Sequence, residues 1–520
     1  MKALGNISRA LLESKLAIGL FAGVFLASVI FFSVSPQFGW HSPNDLLPEV
    51  PRNGGSAPSG SPTKEHNDLA PPPVNCTTES PAVNRTTESP AVNRTTESPS
   101  VTKPGKDKVT TNSPTNFTGE EIAPSPALLP PLKPICDFSD HRYDVCEMWG
   151  DARTASGANR SRVFFIPPPS QLATANAATW SVRSQSRKYI PVREVLVRSL
   201  NLSDLHDAPN CTVRRSVPAV VFAVGGLTFN YWHAFSDVLV PLFTTSRAFG
   251  GEVELLATDP KDRKWFLGKY GRVLRALSRY EAVDLDADTE VRCYPHVVVG
   301  LRGHRDFDID PARAPNHYDM RAFRLFVREA YALPPTAALP CKSGARPRAM
   351  VILRGGTRRF VNPDAVVAAV ERAGFDAVRM EPGGSGGRLG GMGMDAVARA
   401  VDACDVLVGA HGAGLTNTVF LRTGAVVLQV VPWGKMEPHA EAFFGAPAKH
   451  MGVRHVAYSI AAEESTLYEK YGKDHPVITD PDAFYRNGSN ARYYWREQNI
   501  RLNTTRFMPT LEMVKRMLQE

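Results

Sequence analysis

A histidine and a carboxylate lie one helical turn apart in the segment NYWHAFSD. At spacings of three and four residues, Asn230, His233 and Asp237 share one face of a helix. A neighbouring carboxylate orients an imidazole ring and raises its basicity, as general base catalysis requires. The segment therefore predicts proton abstraction by His233 assisted by Asp237, or by Asp237 itself. An ordinary polar pair on an amphipathic helix has the same spacing and is the alternative.

Two arginines follow a predicted strand in the segment RGGTRRFVN. The apolar run 349–354 predicts the strand, so Arg354, Arg358 and Asn362 lie at its carboxyl end, where open parallel sheets bind ligands. Guanidinium groups beside a helix N-terminus can hold a diphosphate through forked, charge-assisted hydrogen bonds. The pattern indicates a site for a phosphorylated ligand. A basic, solvated loop is the alternative.

A glycine-containing turn follows a second apolar run, at 405–410. It consists of His411, Gly412, Ala413 and Gly414. Glycines let the backbone approach a ligand closely, and a helix that begins after the turn directs free N–H groups toward it. The turn predicts a second part of the ligand site. A tight turn closed by a capping histidine is the alternative.

Three aspartates alternate along the chain at Asp284, Asp286 and Asp288, a spacing that can bind a divalent metal. A metal cage needs more oxygen ligands than this segment supplies, so an acidic strand end is favoured. The sequence contains no C-x-x-C pair, which argues against a structural zinc site. The spacing alone therefore does not establish a metal site, and a structural role for these aspartates is the preferred interpretation.

Alternating strands and helices must position these groups. In the first half, the patterns predict an amphipathic helix over 230–248, a second helix over 261–277, and strands at 217–225, 252–258, 281–286 and 297–300. In the second half they predict helices at 363–373 and 395–404, with Asn362 as an N-cap, and strands at 349–354, 376–380, 405–410 and 425–432. This alternation predicts an α/β fold with two domains, 135–340 and 341–520, and a cleft between them is a common place for ligands.

The N-terminal region predicts a membrane anchor. Residues 16–34 form an uncharged apolar run long enough to cross a bilayer as a helix. Basic residues at 2, 9 and 15 precede the run, so the tail 1–15 is predicted to be cytosolic and the rest of the chain lumenal. A cleaved signal peptide is the alternative, but its apolar region is usually shorter.

The segment 35–134 is rich in Pro, Ser and Thr and contains a nine-residue repeat that begins with NCTTESPAV. Such a segment cannot bury enough apolar surface to fold, so it predicts a disordered, glycosylated stem. Acceptor triplets for N-glycosylation after the anchor agree with a lumenal chain and lie at Asn75, Asn84, Asn93, Asn116, Asn159, Asn201, Asn210, Asn487 and Asn503.

The charge and the cysteines limit the possible partners. The net charge of +8 allows binding of anionic nucleotide-sugars or acidic polysaccharide, whereas the predicted compartment excludes nucleic acid. All seven cysteines follow the anchor, in an oxidising compartment. Cys136 and Cys146 are near enough in sequence to form a disulfide bond, although the pairing cannot be deduced. Cys404 lies in an apolar helical pattern and is predicted to be a buried free thiol.

Four segments together resemble glycosyltransferase family 61, and more narrowly its grass members that decorate xylan: GGLTFNYWHAFSDVLVPLF, RGGTRRFVN, GAHGAGLTNTVFL with VLQVVPWG, and RYYWREQNIRLNTTRFMPTL. The resemblance implies a GT-B-like architecture of two facing Rossmann-like domains, with an N-terminal acceptor domain and a C-terminal donor domain that ends in a helix. It implies an inverting, generally metal-independent reaction without a further cofactor. Ala234 departs from the residue that the family often has after the histidine.

The resemblance also assigns roles to the motifs. His233 and Asp237 match the family segment where a base is expected, and the donor-binding residues are Arg354, Arg358, Asn362, His411, Gly412, Ala413 and Gly414. It implies a single-pass type II Golgi membrane enzyme that adds arabinofuranose or xylose from a UDP-sugar to xylan in cell-wall hemicellulose synthesis, with other xylan-synthesis enzymes as possible partners. Transfer of β-1,2-xylose to N-glycans, a noncatalytic lumenal glycan-binding protein and a nucleotide-sugar hydrolase are the alternatives.

Overall fold

A computed structural model of the protein describes residues 135–157, 161–259, 264–335, 346–381, 393–486 and 490–519. Its strands, in chain order, are β1 (Cys136–Asp137), β2 (Val145–Ala155), β3 (Arg162–Ile166), β4 (Ala178–Val182), β5 (Val195–Ser199), β6 (Val213–Arg214), β7 (Ala219–Ala223), β8 (Glu254–Thr258), β9 (Val283–Asp284), β10 (Arg292–Val299), β11 (Arg348–Ile352), β12 (Asp376–Met380), β13 (Val406–Ala410), β14 (Val426–Val431) and β15 (Arg454–Ser459).

The α-helices are Pro169–Leu172, Tyr231–His233, Val240–Ser246, Lys264–Lys269, Gly271–Leu277, Met320–Ala330, Pro363–Arg372, Met394–Asp402, Glu437–Ala440, Ala446–His450, Thr466–Tyr471, Pro476–Thr479, Pro481–Arg486 and Thr504–Met517. Short 3-10 helices occur at Leu205–Asp207, Arg247–Phe249, Pro315–His317, Ala413–Phe420 and Ala462–Glu464, and π-helical turns at Ala234–Leu239, Glu441–Gly445 and Tyr493–Glu497. Within these ranges no helix is long and apolar enough to span a membrane, and the predicted anchor at 16–34 and stem at 35–134 lie outside them.

The described residues between 135 and 335, called here the first half, form a mixed ten-stranded sheet. Its strands follow the order β4-β5-β3-β2-β10-β7-β8-β9, with β1 paired to β2 and β6 paired to β10. Strands β10, β7, β8 and β9 are parallel, whereas β2 joins β10 in the antiparallel direction and β3 joins β2 likewise. The predicted α/β fold is confirmed, but this sheet is Rossmann-like only in β7–β10. Antiparallel neighbours need no crossover helix, so the strand–helix alternation gave no sign of them.

The described residues between 346 and 519, called here the second half, form a five-stranded parallel sheet in the order β12-β11-β13-β14-β15. Counted along the chain, this order is the doubly wound arrangement 2-1-3-4-5, in which the winding reverses between the first and third strands. The strands expected at 349–354, 376–380, 405–410 and 425–432 correspond to β11, β12, β13 and β14. The crevice outside the carboxyl ends of β11 and β13 is therefore the place where such a sheet binds ligands.

One apolar core is shared by the two halves. Phe222, Phe235 and Phe323 from the first half pack in the same cluster as Leu415 and Phe420 from the second, and none of the five is exposed to solvent. Burial on both faces explains why β7, β8 and β14 are nearly continuous apolar runs. The shared core fixes the ends of the two sheets relative to each other.

A buried arginine also joins the halves. Arg324, on the helix Met320–Ala330, donates from Nε to Met451 O at 2.7 Å, from Nη1 to Leu421 O at 2.5 Å and from Nη2 to Thr423 Oγ1 at 2.6 Å. Its side chain is fully buried. All three acceptors lie in the second half, and two of them, Leu421 and Thr423, directly follow the 3-10 helix Ala413–Phe420.

Replacement of Arg324 by methionine is expected to lower the free energy of unfolding by about 3 kcal/mol, because it leaves two carbonyls and a hydroxyl without their donor. Chemical denaturation of the wild type and the variant measures the change. Arg321→Met, on the exposed face of the same helix, is the matched control and should stay within about 0.5 kcal/mol of the wild type. Equal stabilities of the two variants would contradict the role of Arg324.

Two disulfide bonds cross-link the first half. Cys136 pairs with Cys146, and Cys211 pairs with Cys293 across 82 residues of sequence. Cys404 is a buried free thiol, as predicted. The cysteines at 76 and 341 lie outside the described ranges.

Three of the predicted glycosylation sites lie in the described part of the chain. Asn210 and Asn503 are exposed, and Asn201 is half-buried. Asn503 caps the last helix, Thr504–Met517, by accepting hydrogen bonds at Oδ1 from the Thr505 and Arg506 amides, which leaves Nδ2 for a glycan. The other predicted sites fall outside the described residues, at Asn75, Asn84, Asn93, Asn116, Asn159 and Asn487.

Candidate active site

Loops at the carboxyl ends of four strands carry the candidate residues. In the first sheet, the segment after β7 leads to His233, and the loop after β10 carries Asp306. In the second sheet, Arg354 follows β11 and His411 follows β13. Winding reverses between β7 and β10 and again between β11 and β13, and such switch points open a crevice at the sheet edge.

His233 and Asp237 form a hydrogen-bonded pair. His233 Nδ1 lies 2.7 Å from Asp237 Oδ2. The other carboxylate oxygen, Oδ1, accepts a hydrogen bond from Arg187 Nε at 3.0 Å. Arg187 also binds Asp306, to which Arg142 Nη2 donates at 2.9 Å. A buried carboxylate held by an arginine therefore fixes the histidine ring.

His233 and Asp237 differ in solvent exposure and in charge. The side chain of Asp237 is 1% exposed and that of His233 is 13% exposed. Burial alone would raise the pKa of Asp237, but the Arg187 guanidinium and His233 outweigh it and hold the pKa well below its usual range. An ionised Asp237 accepts the Nδ1 hydrogen, which leaves the lone pair on Nε2. His233 is therefore the group of the pair that can take a proton from a ligand.

The backbone around this pair departs from the α-helix that the spacing predicts. The helix Tyr231–His233 passes directly into the π-helical turn Ala234–Leu239, all of which is buried. π-Helical turns are rare and occur frequently at functional sites. Asn230, predicted on the same face, caps the helix by accepting from the Trp232 amide at 3.0 Å.

Arg354 and Arg358 bring positive charge together without a carboxylate. Arg354 Nε donates to Thr357 O at 2.9 Å, and the Arg358 guanidinium lies 5.5 Å from the centre of the Trp495 ring. Arg358 Nε is buried without an acceptor, and no ion pair involves either arginine in the part of the chain that the structure describes. Burial lowers the pKa of Arg354. Burial, together with Arg354 and Arg496, lowers that of Arg358 to about 9.

These lowered pKa values mean that keeping both guanidinium groups charged costs the folded protein free energy. A bound anion would satisfy the free N–H groups and offset the repulsion between the guanidinium groups. The backbone of Arg358 adds strain, because its φ of 56° lies in a region that non-glycine residues seldom adopt. A hydrogen bond from its amide to Gln498 O at 2.7 Å holds it there. Strain of this kind is common at ligand sites.

The glycine turn lies directly against Arg354. Gly412 has a φ of 151°, and a Cβ added there would come within 2.0 Å of Arg354 Nη1. A Cβ at Gly414 would meet Ile352 Cγ2 at 3.0 Å. Ala413, between the two glycines, begins the 3-10 helix Ala413–Phe420 and packs against the shared core. The absence of a side chain at Gly412 is thus what allows the arginine to lie beside the turn.

His411 is buried at the start of this turn. Its Nδ1 lies 2.6 Å from Gln429 Nε2, and Gln429 Oε1 lies 2.8 Å from His455 Nε2. Burial lowers the pKa of His411 well below its usual range, and the charges of Arg358 and Arg354 act in the same direction. The ring is therefore neutral and does not add a further charge to the arginine pair.

Aromatic rings surround His411. Its ring centre lies 5.5 Å from those of Trp495 and Phe444 and 6.1 Å from that of Phe443. His439 lies 5.1 Å from Trp495 and 5.8 Å from Phe443. These rings offer apolar faces beside the arginines, on which a planar base or a sugar can pack.

Contacts between the halves connect the base to the arginines. Tyr231 donates from its hydroxyl to Asn417 Oδ1 at 3.0 Å. The Trp232 ring lies 4.9 Å from His233 on one side and 4.9 Å from Phe443 on the other. The structure therefore brings the two predicted parts of the site together through Trp232.

Asn362 bonds the backbone of the C-terminal segment. Its Nδ2 donates to Leu502 O at 2.9 Å, and its Oδ1 accepts from the Leu502 amide at 3.0 Å. It occupies the predicted N-cap position of the helix Pro363–Arg372, but its side chain makes no capping hydrogen bond there. The two bonds to Leu502 hold the C-terminal segment against the arginine loop, and the role of Asn362 in donor binding stays a prediction.

The aspartates at the acidic strand end form hydrogen bonds and an ion pair with other residues of the protein. Asp286 accepts hydrogen bonds from Ser161 Oγ at 2.7 Å and from the Asp259 amide at 2.6 Å. Asp288 pairs with Arg292 at 2.5 Å. These contacts fit the preferred interpretation of Asp284, Asp286 and Asp288 as structural.

Several residues of the site were not predicted. Arg187 lies in no recognisable pattern, so nothing in the sequence marks it. Gln429 stands alone as a polar residue within the apolar strand VVLQVV, and that is a usable signal. Trp495 lies in the C-terminal segment that carries the family resemblance, but its position next to Arg358 depends on tertiary structure.

Comparisons with known proteins find relatives of this chain. The family model Glycosyltransferase 61 matches residues 231–428, which include His233, Arg354 and the glycine turn. The chain is 40% identical over 434 residues to the β-1,2-xylosyltransferase XYXT1 of Oryza sativa subsp. japonica, covering 79% of this chain and 88% of that protein.

Two further relatives are more distant. The α-1,3-arabinosyltransferase XAT3 of the same rice is 39% identical, covering 73% of this chain and 64% of its own length. The xylan glycosyltransferase MUCI21 of Arabidopsis thaliana is 31% identical, covering 72% of this chain and 78% of its own. Among solved structures, a family 9 glycosyl transferase from Veillonella parvula matches with a TM-score of 0.27 and 11% identity, covering 60% of this chain and 98% of its own.

Proposed function

The chain belongs to glycosyltransferase family 61, and from this premise we propose that it transfers a pentose, arabinofuranose or xylose, from a UDP-sugar to xylan during synthesis of cell-wall hemicellulose. Its rice relatives are named as a xylosyltransferase and an arabinosyltransferase, and the Arabidopsis relative as a xylan glycosyltransferase. The printed names support pentose transfer and a xylan acceptor, and they leave the choice of pentose to experiment.

The observation that carries the proposal is the pair of arginines beside the glycine turn, which have no carboxylate partner among the described residues. Arg354 and Arg358 sit at the switch point of the second sheet, where a nucleotide diphosphate would bind. His233 sits at the switch point of the first sheet. We assign a GT-B-like architecture on this basis, with the donor in the second half and the acceptor in the first.

The proposed reaction is a single displacement. His233 Nε2 takes the proton from an acceptor hydroxyl as its oxygen attacks the anomeric carbon of the donor. The bond from that carbon to the phosphate oxygen breaks on the opposite side, so the configuration is inverted and UDP leaves with the electron pair. Arg354 and Arg358 stabilise the charge that develops on the diphosphate. They supply positive charge where other transferases use a divalent cation, so the reaction is proposed to be metal-independent.

Gly412→Ala is expected to lower UDP affinity by about 10- to 100-fold, because the added Cβ displaces Arg354 and a charge-assisted contact is lost. Isothermal titration calorimetry with UDP measures the effect. Gly424→Ala is the matched control, since Gly424 also has a positive φ, of 81°, but a Cβ there meets nothing within 4 Å. If both variants bind UDP alike, the close approach of Arg354 does not matter for the donor.

The proposed location is the Golgi membrane. The apolar run at 16–34 would anchor the chain as a single-pass type II protein, with the stem and the enzyme in the lumen. The two disulfide bonds fit an oxidising compartment, and the exposed acceptor triplets at Asn210 and Asn503 fit a lumenal surface. Other xylan-synthesis enzymes in the same membrane are the proposed partners.

A donor and acceptor screen tests the substrate assignment. The full-length protein is incubated with UDP-arabinofuranose or UDP-xylose and with xylo-oligosaccharides or N-glycans, and the linkage of each product is determined. The proposal predicts a pentose on O-2 or O-3 of a backbone xylose or on an existing side chain. Transfer only to N-glycans would replace the acceptor, and binding of xylan without transfer from any donor would indicate a noncatalytic protein.

A further inference from the structure

A row of three side chains crosses the second sheet behind the glycine turn. His411 follows β13, Gln429 lies on β14, and His455 lies on β15, which are neighbouring strands. The hydrogen-bonding atoms are 2.6 Å and 2.8 Å apart. The His411 and Gln429 side chains are buried, and the His455 side chain is 4% exposed. This row (the His411–Gln429–His455 row) is therefore largely shielded from solvent, and only its outer ring lies near an exposed group, with His455 Nδ1 3.8 Å from Glu441 Oε2.

Gln429 is an unusual residue at its position. Every other residue of β14 is a valine or leucine, and all are buried. A buried amide is costly unless its groups are hydrogen-bonded, and here one histidine satisfies each end. An apolar residue would be compatible with the strand, so the strand itself gives no reason for a glutamine. The reason lies in what Gln429 does to the two rings.

The row fixes the position of one proton. An amide NH₂ group only donates, so His411 Nδ1 accepts from Gln429 Nε2 and the ring hydrogen is on His411 Nε2. His455 holds the amide in this orientation by binding its oxygen. Among the residues that the structure describes, none accepts a hydrogen bond from His411 Nε2, although aromatic rings surround it.

We propose that Gln429 and His455 are positioning residues that keep His411 in the Nε2–H form, so that Nε2–H donates a hydrogen bond to a diphosphate oxygen of the donor. The inference rests on the proposed function, because the diphosphate is the acceptor of this bond. A neutral donor suits this position. Arg354 and Arg358 already repel each other, and a charged imidazole would increase the repulsion, whereas an N–H group satisfies a phosphate oxygen without it.

Nuclear magnetic resonance tests the proton position without any activity measurement. The full-length protein is labelled with ¹⁵N-histidine, and the His411 signals are identified by their loss in His411→Asn. At neutral pH the chemical shifts are expected to show a protonated Nε2 and an unprotonated Nδ1. A proton on Nδ1 would mean that the Gln429 amide has the opposite orientation and a lone pair faces the phosphate, and this would overturn the proposal.

A double-mutant cycle tests whether Gln429 acts through His411. Gln429→Glu puts an acceptor beside Nδ1, draws the proton to that nitrogen, and is expected to lower UDP affinity by about tenfold. In a His411→Ala background the same change should cost less than about twofold, because the ring through which it acts is gone. An equal loss in both backgrounds would show direct repulsion of UDP and would overturn the proposal.

A second buried glutamine provides the matched control. Gln185 lies in the first half and donates to the carbonyls of Ala223 and Gly225. Gln185→Glu places the same charge at a buried amide and should leave the His411 signals unchanged. If Gln429→Glu fails to fold, the signals of the wild-type protein decide the question alone. If the wild-type protein binds no UDP, the proposed function fails, whereas the proton position is still measured.

Discussion

Replacement of His233 by alanine is expected to lower kcat by about 10²–10⁴-fold, the usual contribution of a positioned general base. The structure gives the reason. Asp237 accepts the Nδ1 hydrogen at 2.7 Å, and Arg187 holds Asp237 ionised, so the lone pair on His233 Nε2 is available for a proton. UDP affinity should stay within about twofold of the wild type, because the base contacts the acceptor rather than the nucleotide.

The split between kcat and UDP affinity distinguishes this role from a structural one. A collapsed site would lose both, and calorimetry with UDP reports affinity separately from turnover. His206→Ala is the matched control, since the His206 side chain is 77% exposed and pairs only with surface groups. Asp237→Asn should also lower kcat, because a neutral amide no longer fixes the Nδ1–H form. Unchanged turnover in His233→Ala would assign the base elsewhere.

Replacement of Arg358 by methionine is expected to lower UDP affinity without lowering the stability of the ligand-free protein. UDP affinity should fall by about 10- to 100-fold, because charge-assisted hydrogen bonds to the diphosphate are lost. The melting temperature of the ligand-free protein should not fall. The pKa of Arg358 is lowered to about 9, below its unfolded value of 12.5, so at neutral pH its charge costs the folded state free energy. Methionine keeps the apolar stem that packs on Trp495.

A surface arginine in the same half provides the control. Arg379 is exposed and forms ion pairs with Asp364 and Glu381, so Arg379→Met should leave UDP affinity unchanged. Arg354→Ala should lose donor binding as severely as Arg358→Met. If UDP binds Arg358→Met as tightly as the wild type, the diphosphate does not lie against these arginines. A marked drop in melting temperature would show that Arg358 stabilises the fold.

Sequence patterns predicted the positions of the candidate residues more accurately than the architecture of the first half. Strand periodicity predicted that Arg354 and His411 follow two strands, and these strands are β11 and β13. The two strands are neighbours in the doubly wound sheet, so their carboxyl ends are adjacent. The spacing of His233 and Asp237 predicted their contact, although a π-helical turn carries it. These predictions succeeded because each depends on local sequence and on the general rule for ligands in parallel sheets.

The partners of these residues depend on chain segments far apart in sequence. Arg187 reaches Asp237 across 50 residues, and Trp495 meets Arg358 from near the C-terminus. No local pattern encodes such pairs. Strands β1–β5, most of which pair in the antiparallel direction, were also missed, because they are not regularly separated by the helices that produce the alternation on which the prediction relied. The bonds from Asn362 to Leu502 could not be predicted for the same reason, since Leu502 comes from the C-terminal segment.

Acceptor-dependent release of UDP is the most direct test of the central claim, which is pentose transfer from a nucleotide-sugar bound between His233 and the arginines. The full-length protein is mixed with UDP-xylose or UDP-arabinofuranose, with and without xylohexaose, and both UDP and glycosylated product are quantified. Transfer predicts that UDP appears only with the acceptor and in equal amount to the product. Release of UDP at the same rate without acceptor would identify a hydrolase, and no release with either donor would contradict the account.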